Sequence, residues 1–149
     1  MATYLTQDDA QSSIRDHDLE HILDHMNSGN SIDSFDLAAQ EAQSIVRDYL
    51  IKYDIDTELD KTGTDRHRSI IFYIKNICLY VIYERIEDDQ VPERIIKNYD
   101  DTIETLREIS KGKLTIGLPL APVDTDGDGE PDGYRTKFRG GSEPKRRYY

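Results

Sequence analysis

The chain has 149 residues, 36% hydrophobic and 33% charged, with a formal net charge of −11; that is enough for one domain with a core and too short for two of ordinary size. No apolar run approaches the ~20 residues needed to span a bilayer, and the opening MATYLTQDDA lacks a basic-then-apolar leader, so neither membrane insertion nor secretion by a standard signal is expected. The single cysteine, Cys78, allows no intrachain disulfide and no cysteine cage for a metal, which points to a soluble protein made in a reducing compartment.

Thr6 followed by Gln7, Asp8 and Asp9 predicts an N-cap with an acidic first turn, opening a short helix toward Ile14. Asp16 to His25 sets Leu19, Ile22 and Leu23 on one side of a second short helix, and the cluster from Asn27 to Ser31 predicts a turn. Asp33 or Ser34 then caps a longer helix in which Ala38, Ala42, Ile45 and Tyr49 repeat at helical spacing. That helix fades near Tyr53, and Asp54 to Thr64 reads as a polar loop. Ile70 to Ile86 is the most apolar stretch; its length without a breaker favours a helix buried over much of its circumference rather than a strand. Pro92 fits a first helical turn, where its missing N–H costs nothing, and Ile95, Ile96, Tyr99, Ile103 and Leu106 form the stripe of the last helix. Lys111 and Gly112 are stop signals. Leu114 to Pro119 is extended, and the remainder is rich in Gly, Pro and Asp. The expected fold is all-α: a bundle of four to five helices over residues 1–119, with a short extended segment and then a long flexible C-terminal arm over 120–149.

Charge is unevenly spread. Asp124, Asp126, Asp128, Glu130 and Asp132 place five carboxylates in nine residues, whereas Arg135, Lys137, Arg139, Lys145, Arg146 and Arg147 face only Glu143 beyond them. The two segments cancel, so residues 1–123 alone hold the −11. An acidic body repels nucleic acid, which argues against a sequence reader. The arm's large apolar side chains are Val123, Phe138 and the tyrosines Tyr134, Tyr148 and Tyr149, too few for a core. Ordering some 27 residues costs tens of kcal/mol (about 1–2 each), so the free chain is expected to leave the arm without structure until a partner supplies a surface. Tyr134, Arg135, Phe138, Arg146, Arg147, Tyr148 and Tyr149 are its candidate partner-binding residues.

Two patterns suggest metals. His17, Glu20, His21, Asp24 and His25 share a helix face, and histidines at i and i+4 can chelate zinc, yet no HExxH accompanies them; a solvated face is the simpler reading. The run from Asp124 to Asp132 has oxygen ligands at positions 1, 3 and 5, glycine at 6 and an acid at 9, as a calcium loop requires. Position 12 is Arg135, so the bidentate glutamate is missing. Asp124, Asp126, Asp128 and Asp132 are therefore candidate Ca²⁺ ligands in a weak or partner-completed site, and the other reading is a turn-rich acidic linker; no cofactor is required. No GxSxG, P-loop or dinucleotide fingerprint occurs, and Cys78 lies in an apolar helix, so a non-enzyme is expected.

The stretch VPERIIKNYDDTIETLREISKGKLTIGLP, with its proline-led turn, Tyr99-Asp100 pair and Leu106, Ile109, Gly112-Lys113 ending, resembles the closing helix of the Mu-prophage-like head–tail adaptors of tailed bacteriophages. Asp48-Tyr49-Leu50 before Tyr53-Asp54, the Arg68–Arg85 helix with Leu79-Tyr80 and Tyr83, and the opening Tyr4-Leu5-Thr6 with Asp8-Asp9 are similar to the same family, over roughly residues 3–119. The arm from Val123 has no clear counterpart in that likeness. The resemblance implies a virion structural protein, made in the bacterial cytoplasm, that forms a ring at the head–tail interface, a dodecamer in the family. Its implied partners are the portal protein, further copies of itself and a downstream tail or stopper protein, with DNA passing through unread. The alternative is a Ca²⁺-dependent interaction module working through the acidic run.

Overall fold

A computed structural model describes residues 4–13, 16–27, 34–85, 91–124 and 132–134. Among them lie six α-helices: α1 (Gln7–Gln11), α2 (Asp16–Asn27), α3 (Ser34–Tyr49), α4 (Ile55–Leu59), α5 (Arg68–Glu84) and α6 (Glu93–Ser110), with a 3₁₀ turn over Gly63–Asp65. The chain is mainly helical, as its periodicity requires.

The long helices make the core. Along α3, Phe35, Ala38, Ala39, Ala42 and Val46 are buried, and its alanines let α5 approach closely. On α5, Ile70, Ile74, Ile77, Cys78, Leu79, Val81 and Ile82 are all buried. That wide apolar arc is explained by packing on two sides, against α3 and α6. From α6 come Ile95, Ile103, Leu106 and Ile109. Asn76, a polar residue 3% exposed, donates from Nδ2 to Thr102 Oγ1 at 3.0 Å, so α5 and α6 share a satisfied buried pair. Tyr80 and Tyr99 stack across the same seam with centroids 4.1 Å apart.

Helix ends follow their sequence signals closely. Thr6 and Asp9 form a capping box at α1. At the end of α6, the Gly112 N–H bonds Ile109 O at 2.9 Å and the Lys113 N–H bonds Glu108 O at 2.9 Å. This is a Schellman closure, and it needs the positive φ of 78° that Gly112 adopts. Pro92 differs from expectation: it is the N-cap residue of α6 rather than part of its first turn, its carbonyl accepting from Ile95 N–H at 2.8 Å.

Two expectations need correction. Asp54 to Thr64 is not simply a loop, because α4 forms within it. Asp54 caps that helix by accepting from Thr57 N–H, and Ile55 (3% exposed) and Glu58 (2%) are buried. A five-residue helix shows too little periodicity to announce itself among so many charges. The second correction concerns the root of the arm. Pro122–Val123 (β1) pairs antiparallel with Gly133–Tyr134 (β2), Pro122 opposite Tyr134 and Val123 opposite Gly133, so the chain beyond Val123 does regain backbone partners. Two residues a strand carry no alternating pattern to read in advance.

Candidate functional site

The surface around the arm's root is built by the segment after α6. Ile116 and Leu118 are buried against the bundle. Leu120 forms an antiparallel bridge with Tyr53, the Asp54 N–H bonds Pro119 O at 2.9 Å, and the Ala121 N–H bonds Lys52 O at 3.0 Å. The segment thus lies as an extended lane beside Lys52–Asp54. It delivers Pro122 to the rim of a shallow groove of ≈ 380 Å³ whose wall includes Asp48, Ile51, Asp54, Asp56 and Arg47. Ile51 is 58% exposed in this groove. Among the described residues of its lining, Arg47 is the only basic side chain and is engaged by Asp56 at 2.6 Å, so the carboxylates of Asp48 and Asp54 leave that described lining net acidic. A second shallow recess, which also uses Arg47, continues past Gln40, Gln43 and Ser44 to Asp60.

On the described side of the molecule the acidic run begins and ends at the β1–β2 pairing. The Asp132 N–H bonds Val123 O at 2.9 Å, so the two flanks of the run are drawn together. Asp124 and Asp132 lie at this mouth; Asp126, Asp128, Arg135, Phe138, Arg146, Arg147, Tyr148 and Tyr149 lie outside the described residues, as does the side chain of Tyr134. No group of three or more His, Cys, Asp or Glu that could hold a metal occurs among the described residues. The side chains of His17 and His25 also fall outside them, while Glu20, His21 and Asp24 are exposed on α2.

A second cluster was not legible beforehand. The Tyr4 hydroxyl donates to Glu58 Oε1 at 2.6 Å. The His67 N–H, at the entrance to α5, is 2.8 Å from the Tyr4 hydroxyl and 2.6 Å from Glu58 Oε1. Lys61 donates to the other carboxylate oxygen at 2.7 Å. Arg66 completes the knot, donating to Tyr4 O at 2.7 Å and to Asp9 Oδ2 at 2.6 Å. The extended lane passes over it: a Cβ on Gly117 would stand 3.6 Å from His67 Nε2. Burial by itself raises the Glu58 carboxyl, but donation from Lys61, Tyr4 and the His67 N–H outweighs it and holds the group below its ordinary value. Asp9 behaves alike, burial being outweighed by Arg66 and Thr6. Tyr4 goes the other way, raised by burial and by the adjacent Glu58. Sequence offered only the Tyr4 and Asp8-Asp9 opening as a hint, because Tyr4 and Asp9 meet Glu58, Arg66 and His67 from 54 to 63 residues away.

Cys78 is fully buried, and burial pushes its thiol up to about 12, which disqualifies it as a nucleophile at neutral pH. Exposed apolar side chains occur on three helices: Leu37 on α3, Phe72 on α5 and Ile96 on α6, with Phe72 lying 5.7 Å from the Lys75 ammonium. No described helix is long and apolar enough to cross a membrane. Among the described residues, the features open to a partner are these apolar side chains and the carboxylate-lined groove.

No curated protein and no solved structure matches the chain. The family model for bacteriophage Mu Gp36 does match, over residues 4–132. That span extends past the likeness to residue 119 and takes in the extended lane, the acidic run and Asp132, so this part of the arm does have a counterpart. The span covers most of the 149 residues, from the Tyr4 knot to the mouth of the acidic run, and the chain belongs to the bacteriophage Mu Gp36 family.

Proposed function

We propose that the protein is a structural component of the phage virion, a head–tail adaptor that forms a ring beneath the portal and extends the DNA channel toward the tail. The observation that carries this reading is the family match over residues 4–132. The surface supports it. A ring is held by heterologous contacts, so each subunit needs two different complementary faces, and apolar side chains are exposed on α3, α5 and α6. A conduit through which DNA slides must not grip phosphate, and the −11 carried by residues 1–123 disfavours such a grip. The arm's basic and aromatic residues suit an acidic, notched partner surface. Deleting the gene should give DNA-filled heads that leak or fail to join tails, scored by electron microscopy and plaque assay. Normal infectivity after deletion would refute the adaptor role.

One observation favours the second reading, a Ca²⁺-dependent interaction module: β1 and β2 close the acidic run into a loop by pairing its flanks. On that reading calorimetric titration of the chain with Ca²⁺ gives saturable heat, abolished by Asp126→Ala and Asp128→Ala. No heat from the free chain, together with chelator-resistant particles, would leave the run as a linker.

A further inference from the structure

We infer that copies of this chain meet head to tail, the Arg68–Phe72–Lys75 stripe of α5 on one copy lying antiparallel against the Glu93–Ile96–Asp100 stripe of α6 on the next. Each stripe follows one face of its helix over two turns, because residues three and four apart are neighbours there. Phe72 is 51% exposed and Ile96 40%, and each stands between two like charges, cationic on α5 and anionic on α6. The spacings coincide when the helices run antiparallel. Phe72 is four residues from Arg68 and three from Lys75; Ile96 is four from Asp100 and three from Glu93. With Phe72 on Ile96, Arg68 then stands opposite Asp100 and Lys75 opposite Glu93, the charges of each stripe being about 10 Å apart at ~1.5 Å per residue.

These charges are left open within one chain. Arg68, Lys75, Glu93 and Asp100 make no ion pair among the described residues. Lys75 donates to the neutral Ser12 Oγ at 3.0 Å, and the Asp9 carboxylate that acts on it is engaged by Arg66. Helix chemistry does not account for the charges either. Arg68 puts a cation in the first turn of α5, where the helix dipole disfavours one and no acid offsets it. Asp100 and Glu104 are like charges one turn apart on α6. A neighbouring copy of opposite sign relieves both strains. Leu37 on α3 lacks this pattern, since Glu41 beside it is engaged by Arg85 at 2.6 Å. The two stripes also lie on different faces, as a head-to-tail contact requires. Lys75 turns toward α1 through Ser12, and on α6 it is Arg94 that does so, donating to Ser13 O at 2.8 Å. Asp100 lies about 120° round the helix from Arg94. The inference names two faces for the ring and rests on the adaptor reading for ring closure alone; the contact itself belongs to the free chain.

The test mixes full chains carrying Phe72→Cys with full chains carrying Ile96→Cys at high concentration under oxidised glutathione, buried Cys78 staying out of reach, and reads disulfide-linked products by mass. The expected result is a mixed dimer several-fold in excess of either homodimer. Arg68→Glu on the first chain should abolish that excess, and Asp100→Arg on the second should restore it. No mixed dimer, homodimers in equal yield, an excess indifferent to Arg68→Glu, or one that Asp100→Arg does not restore would each overturn the inference. The adaptor reading has its own readout in the gene deletion: a mixed dimer with normal infectivity after deletion keeps the contact and removes the adaptor, and the converse pair of results does the reverse.

Discussion

Replacing Ile77 by alanine should destabilise the protein by about 2–5 kcal/mol, the range for deleting a large aliphatic side chain from a packed interior. Ile77 is fully buried in the middle of α5, the helix that packs against both α3 and α6. Neither neighbour can close the void freely. The alanines of α3 already bring its backbone close, and α6 is held to α5 by the Asn76–Thr102 hydrogen bond and the Tyr80–Tyr99 stack. Urea unfolding with an unchanged m-value is the measurement. Leu37→Ala, 43% exposed on α3, is the control and should cost about 1 kcal/mol or less. Equal losses at the two positions would mean that α5 is not the centre of the core.

Glu58→Ala should cost about 1–3 kcal/mol, because it removes the acceptor of the buried Tyr4 hydroxyl, while the His67 N–H keeps the Tyr4 oxygen as its partner. Glu58→Gln keeps an acceptor in place and should cost less. The pH dependence distinguishes this knot from simple packing. The folded chain holds the Glu58 carboxyl below its ordinary value, so its contribution is complete above the unfolded pKa of about 4.3 and is lost as pH falls through the lower folded value. Asp9, paired with Arg66, adds to the same acid limb. Tyr4 is raised, so its contribution is complete below about pH 10 and is lost as pH climbs beyond that. Stability should therefore fall at both extremes. Tyr4→Phe should flatten the alkaline limb, and Glu58→Gln should shrink the acid limb. An acid limb unchanged in Glu58→Gln would show that the carboxylate contributes no charge-dependent stability.

The family assignment and the fold are separable from the role in the particle. A ring-forming adaptor needs faces that a single chain leaves open, and the exposed Leu37, Phe72 and Ile96 are candidates for burial there. The groove beside Ile51 differs from them in the carboxylates of Asp48, Asp54 and Asp56 along its described lining.

Local chemistry was enough to specify the long helices. Buried positions along α3, α5 and α6 repeat at helical spacing, Thr6 and Asp9 announce a capping box, and Gly112 marks a stop that only a positive φ completes. These signals involve residues a few positions apart, so they survive in the linear order of the chain. The acidic composition of the body, the single buried cysteine and the likeness of the closing helix were legible for the same reason. What only the tertiary structure decided are the contacts between distant residues. Glu58 sits among the charges of a short segment, and nothing in that segment says it will be buried under Tyr4 and His67. Leu120 meets Tyr53, and Gly133 meets Val123, through backbone bonds that leave no imprint on residue type. The groove beside Ile51 arises from the same cause: its two walls come from residues 47–56 and 121–122, and they meet only because the lane after α6 folds back.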